Sequence, residues 1–164
     1  MSPSPVRQFF LPSITKRYLF RLLAVGLTAY LLFGHILIPL HIQGESMEPT
    51  YQNGSFGFCW RLSYILSAPK RSDVVAVRFS GTSVMLLKRI IALEGETIEF
   101  RKGVLYINDQ SVDEPYVKYQ SEWELAPKRV SPGHVYVVGD NRGQSMERHQ
   151  FGEVNLLRVA GGVF

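Results

Sequence analysis

Residues 83–109 read SVMLLKRIIALEGETIEFRKGVLYIND, and the way this stretch divides decides the fold. Ser83 to Leu93 is an apolar run broken only by Lys88-Arg89, of a length and composition that predict a strand. Thr97 to Phe100 and Val104 to Ile107 are short β-favouring runs, separated by Lys102-Gly103 and followed by Asn108-Asp109. Both residue pairs suit tight hairpin turns, so successive hairpins are expected. Working outward, Asp73 to Phe79 and His134 to Val138 predict two further strands, while helical periodicity is weak after His41. The expected class is mainly β: an antiparallel sheet or partly closed barrel. A more polar excursion, residues 113–132, is expected as an inserted flap. Trp123 inside it reads as a local packing anchor.

The N-terminal end follows a different pattern. From Leu22 to Leu40, about 19 residues, there is no Asp, Glu, Lys or Arg, close to the roughly 20 that cross a bilayer as a helix. The expected division is an N-terminal segment 1–21, a transmembrane helix 22–40 ended near Pro39, and a β-rich domain 41–164. A cleavable leader has the same general form. Against it, the apolar run exceeds the roughly 7–15 residues of a leader core, and Leu37 to Gln43 offers no small-x-small site. The flanking charges Arg7, Lys16, Arg17 and Arg21 all precede the run, which puts the N-terminus in the cytoplasm and the β-rich part outside. His35, within the run, reads as a neutral side chain near the outer interface.

Charge and cysteine content exclude several functions. The 164 residues carry a formal charge of +4, but removing those four cations from 18 Lys and Arg leaves a number equal to the 14 Asp and Glu. No basic domain remains to track phosphates, so nucleic acid is not an expected partner. A single cysteine, Cys59, forbids an internal disulfide and reads as a small buried hydrophobe. The four histidines are scattered, so neither a metal nor another cofactor is expected. With 46% hydrophobic residues, including 10 Phe and 8 Tyr, the chain can still bury a core without such staples.

Three segments hold candidate chemistry. The first is Gly44-Glu45-Ser46-Met47-Glu48-Pro49-Thr50, just after the expected helix. A serine hydroxyl is a poor nucleophile until a base takes its proton, and most serines in such settings are turn residues. In the second, strand alternation puts Val84, Leu86, Lys88, Ile90 and Ala92 on one face and Met85, Leu87, Arg89, Ile91 and Leu93 on the other. Apolar neighbours would lower the Lys88 pKa from about 10.4 toward about 7–8, where an amine serves as a general base. Arg89 stays protonated and cannot do this. The plainer reading is an edge strand with both cations reaching water. The third segment, Gly139-Asp140-Asn141-Arg142-Gly143-Gln144-Ser145, reads as a polar turn in which Asp140 and Asn141 fix the loop and Ser145 orients a neighbouring amine.

Together, in this order and spacing, the segments resemble the three boxes of the type I signal peptidase family. Gly44 to Thr50 resembles the nucleophile box, Lys88-Arg89-Ile90-Ile91 with Glu94-Gly95-Glu96 the base box, and Gly139 to Gly152 the final box. The resemblance spans roughly Arg21 to Val154. It implies a membrane-bound serine endopeptidase with a Ser/Lys dyad and an acyl-enzyme, Ser46 as nucleophile and Lys88 as base. Ser145 would position Lys88, the Ser46 backbone N–H would meet the oxyanion, and Met47 and Leu86 would contact substrate. Implied partners are a lipid bilayer and preproteins with small side chains at P1 and P3, cleaved at a plasma membrane or an organellar inner membrane.

The sequence departs from the family pattern in two places. Some members carry a serine two residues before the nucleophile as a second oxyanion donor, where this chain has Gly44. The last box ordinarily continues Ser-x-Asp-Ser-Arg; here it is Ser145-Met146-Glu147-Arg148-His149. Glu147 keeps a carboxylate as structural support, Arg148 is a substitute partner for it, and His149 stays off the catalytic list. Two other readings remain open: a specialised relative maturing one pilin, conjugation or organelle-imported substrate, and a silent membrane-anchored domain binding peptides along a sheet edge.

Overall fold

A computed structural model of the chain describes residues 15–65, 67–80, 84–149 and 152–164. Arg7, Ser83 and two residues of the final box, Gln150 and Phe151, lie outside them. The chain divides into two compact units, residues 1–36 and 37–164.

The first unit contains helix α1, Lys16–Leu31, continued by a π-helical turn over Leu32–Ile36. Thr15 caps it, its hydroxyl accepting from Tyr18 N at 3.2 Å and satisfying one of the orphan N–H groups of the first turn. No side chain of α1 is buried, so its Leu, Val and Phe side chains face no protein core. The helical run of 21 residues matches a bilayer core of about 30 Å at about 1.5 Å per residue. It starts six residues earlier than the expected Leu22 and stops before Leu37. Leu37–His41 is strand β1, paired with β2, Phe56–Trp60. Pro39 therefore sits in a strand and does not end the helix. It is tolerated because β1 is the edge of its sheet, where a missing N–H costs no ladder bond.

The second unit is two antiparallel sheets. Besides β1 and β2, the larger contains β3 (Val74–Ser80), β4 (Val84–Ala92), β9 (His134–Val138), β10 (Gly152–Asn155) and β11 (Val159–Val163), in the order β1-β2-β11-β3-β4-β9-β10. The smaller joins β5 (Thr97–Arg101), β6 (Val104–Ile107), β7 (Gln110–Ser111) and β8 (Leu125–Arg129) in the order β7-β6-β5-β8. The class is as expected, mainly antiparallel β, but neither sheet closes into a barrel. The two hairpin turns form as read: Lys102 and Gly103 have φ of 49° and 80°, Asn108 and Asp109 51° and 65°, the paired left-handed conformations that match strand twist. The excursion 113–132 is not a flap throughout, because β8 lies inside it and pairs with β5.

Cores form where sheet faces meet. Ile91, Ala92, Tyr136 and Val138 of the larger sheet pack with Ile98, Phe100, Leu105 and Ile107 of the smaller, around Trp123. The opposite face buries Val75, Val77, Ile90, Val135 and Val137. Register between β4 and β9 shifts between Ile90 and Ala92, leaving Ile91 as an extra residue. This bulge turns Ala92 away from the Lys88 face expected from strict alternation and into the inter-sheet core. Cys59 is fully buried with Ala76 and Ala160, and burial pushes its thiol pKa up, which suits packing rather than attack.

Candidate active site

Strand β4 carries Lys88 and Arg89 on opposite faces, and the fold gives each a different environment. Lys88 pairs across to Val75 of β3 and is 4% exposed. Burial lowers its pKa to about 8, against an opposing pull from the Asp140 charge. Its amine has no hydrogen bond or ion pair among the described residues, so little holds it in the charged form. The expectation of a depressed amine is met by geometry.

Arg89 takes the other face and binds the third segment. Its Nε and Nη2 reach Asp140 Oδ1 and Oδ2 at 2.8 and 2.6 Å, and its Nη1 donates to Ser72 O at 2.7 Å. Asp140 is fully buried and also accepts from Thr50 Oγ1 at 2.5 Å. The Tyr116 ring stacks under the guanidinium, 3.9 Å from ring centre to Cζ. One network thus ties Thr50 of the first segment, Arg89 of the second and Asp140 of the third. Arg89 is neither an edge residue nor exposed to water.

Two backbone contacts then place Ser46. Asn141 N donates to Ser46 O at 3.1 Å, and Asn141 Nδ2 donates to Glu45 O at 3.2 Å. Gly139 lies so close to the Ser46 carbonyl that an added Cβ would overlap its oxygen, which is why glycine directly follows strand β9 here. Arg142 braces the same loop from within: it is 2% exposed, donates to Gly139 O at 2.8 Å and pairs with Glu114 at 2.7 Å. The outcome is a cavity of about 450 Å³ lined by Ser46 and Lys88 together with Gly44, Leu86, Asn141 and His149. Ser46 N–H has no acceptor among the described residues, and Ser46 itself lines that cavity.

The remaining expected residues fall elsewhere. Met47 is 1% exposed, so in this structure its side chain is buried rather than open at the surface. Ser145 is exposed and lines a neighbouring cavity of about 540 Å³ with Trp123, Met146, Glu147 and His149. No hydrogen bond joins it to Lys88 among the described residues. The reason is local: Gln144 O is held by Trp123 Nε1 at 2.8 Å and Ser121 Oγ at 3.3 Å, which carries the next residue toward that second cavity. Glu147 is exposed, and among the described residues it pairs with neither Arg148 nor His149. His149 packs edge-on against Trp123, ring centres 4.8 Å apart. Burial first, then the Lys88 and Arg142 charges, lower its pKa to about 4, so it is neutral at pH 7 and no arginine substitute. Sequence reasoning missed Thr50, Gly139, Arg142 and Glu114; only the glycine beside a strand end gave any signal.

Comparison with known proteins identifies the family. The family described as "Signal peptidase, peptidase S26" matches residues 15–164. Signal peptidase I of Bacillus licheniformis is 32% identical over 144 residues, covering 81% of this chain and 77% of that one. Signal peptidase I T of Bacillus subtilis is 31% identical over 151 residues, covering 85% and 78%. Thylakoidal processing peptidase 1, chloroplastic, of Arabidopsis thaliana is 32% identical over 149 residues, and the chain spans 44% of its length. A crystal structure of a signal peptidase I from Enterococcus faecalis is 32% identical, covering 58% of this chain and 97% of that one with a TM-score of 0.48. With all three boxes brought around one cavity and the match running over residues 15–164, the chain belongs to the signal peptidase S26 family.

Proposed function

We propose that this chain is a membrane-anchored serine endopeptidase that removes N-terminal signal peptides from preproteins through a Ser46/Lys88 dyad. The observation that carries the reading is the shared cavity in which a half-buried serine meets a buried lysine with a pKa near 8. Neutral Lys88 takes the Ser46 proton as Oγ adds to the scissile carbonyl, and the Ser46 N–H meets the resulting oxyanion. Collapse expels the amine, which takes that proton from Lys88. Water then adds to the acyl carbon as neutral Lys88 takes its proton, and that proton returns to Ser46 Oγ as the acyl bond breaks.

The membrane supplies the substrate at high effective concentration. Helix α1 holds the chain in the bilayer, with N-terminal cations on the cytoplasmic side and the β domain outside. A preference for small side chains near the cut is supported by a small cavity of about 60 Å³, lined by His41, Gln43, Ala76, Met85 and Leu87 among others, which shares Gln43 with the dyad cavity. Leu86, which borders the dyad cavity and an adjoining apolar groove with Val77 and Val137, contacts the peptide.

A serine-directed acylating probe tests the reading. Wild-type protein acylates at Ser46, Ser46→Ala and Lys88→Ala do not, and the labelling rate rises through pH 8 because only the unprotonated amine is a base. Below that midpoint the rate falls about tenfold per pH unit. Equal labelling of Ser46→Ala, or a flat profile from pH 6 to pH 9, would remove the mechanism.

A second test concerns Gly139. Gly139→Ala forces its Cβ into the Ser46 carbonyl, and the nucleophile's backbone must move. A loss of about 100-fold in kcat/KM for preprotein cleavage is expected, the usual scale for a displacement of about 1 Å. Unchanged kcat/KM would mean that this contact does not set Ser46.

A further inference from the structure

The first segment lacks the hydroxyl that in some members stands two residues before the nucleophile, yet the cavity holds another candidate donor. Gly44 N donates to Oδ1 of Asn53 at 3.0 Å. A backbone N–H can only donate, so oxygen must face it and the amide nitrogen takes the other arm of the planar group. That nitrogen has no acceptor among the described residues. Asn53 lines the same cavity as Ser46 and Lys88. Its position is fixed from both sides of the loop, by Ile42 N to Ser55 O at 2.9 Å and Gly54 N to Ile42 O at 2.8 Å. Gly44 has φ of 95°, and apart from its chain neighbours no atom of the described residues lies within 4 Å of where its Cβ would stand, so this corner is open.

We propose that the Nδ2 amide of Asn53 is the second oxyanion donor, acting beside Ser46 N–H in the place of the absent hydroxyl. The inference rests on the Ser46/Lys88 reading. As Ser46 Oγ bonds to the carbonyl carbon and its proton moves to Lys88 Nζ, the carbonyl π pair becomes a full charge on oxygen. Two N–H groups then meet that charge, one fixed by the chain and one by an amide locked through its own oxygen. Both donors bind the oxyanion more strongly than the ground-state carbonyl, so they act on kcat.

Asn53→Asp is the decisive variant, because a carboxylate still accepts from Gly44 N but presents an oxygen where the donor stood. With a signal-peptide-bearing preprotein in detergent, kcat is expected to fall at least about 100-fold in Asn53→Asp and in Asn53→Ala. KM should stay within about twofold and the melting temperature of Asn53→Asp should not change. An Asn53→Asp enzyme that keeps more than about a third of wild-type kcat overturns the proposal. So does a loss seen in Asn53→Ala alone, which would point to the Gly44 anchor. Ser46→Ala in the same assay separates the two readings. If it cleaves normally, the dyad has failed. If it is inactive while Asn53→Asp is active, only the Asn53 assignment falls.

Discussion

Replacing Lys88 by methionine is expected to reduce preprotein cleavage by at least about 10⁴-fold while leaving the domain folded, because members of a catalytic unit fail together. The side chain is 4% exposed with its amine unpaired among the described residues, so the fold gains nothing from the nitrogen. Methionine keeps nearly the same volume and removes a polar group whose burial is unfavourable, so the melting temperature should hold or rise. Lys88→Arg should be equally inactive, since a guanidinium does not give up its proton near neutral pH. Ser46→Ala combined with Lys88→Met should be no worse than either alone. Gel-based cleavage of a preprotein beside thermal melts checks all four, and substantial activity in Lys88→Met would exclude the amine as base.

Asp140→Ala should act in the opposite way, through stability first. The carboxylate is fully buried and holds a guanidinium that is 7% exposed. Removing one partner strands the other charge, which costs about 3–5 kcal/mol, or about 10–20 °C of melting temperature in a domain of this size. Thr50 loses its acceptor in the same change, so the first segment is released as well. Replacing both ends, Asp140→Leu with Arg89→Met, should recover much of the melting temperature, because an apolar pair avoids the desolvation cost. Activity should stay low even so, since the three segments are no longer tied. A melting temperature within about 3 °C of wild type for Asp140→Ala would show that the pair does not bear on stability.

The two predictions separate chemistry from scaffold along adjacent residues of one strand. Alternation sends Lys88 toward Val75 and the dyad cavity, and Arg89 toward Asp140 and Tyr116. Burial without a hydrogen-bond partner makes the first easier to deprotonate, and several partners keep the second charged. A shift of one residue in the register of β4 would exchange them and abolish both functions.

Local chemistry alone determined the hairpins, the apolar helix and the strands around Lys88, because turn residues and alternation act within a few positions of the chain, whereas the proposed Ser46/Lys88 pair came from the order and spacing of three segments taken together. The helix end escaped local reading: Leu37 to Leu40 are apolar enough for either state, and pairing with Phe56–Trp60 decides for strand. Asp140 reads as a turn residue until the fold brings Arg89, 51 positions away, within bonding distance. Thr50 reads only as the end of the first segment, and Glu114 and Asn53 carry no signal in their own neighbourhoods. Their roles come from partners across the fold or from the cavity they line, and Ser145 lost its expected contact because Trp123 and Ser121 hold the preceding carbonyl. Which atoms meet was decided by tertiary structure, since burial and charge pairing depend on residues that only folding makes neighbours.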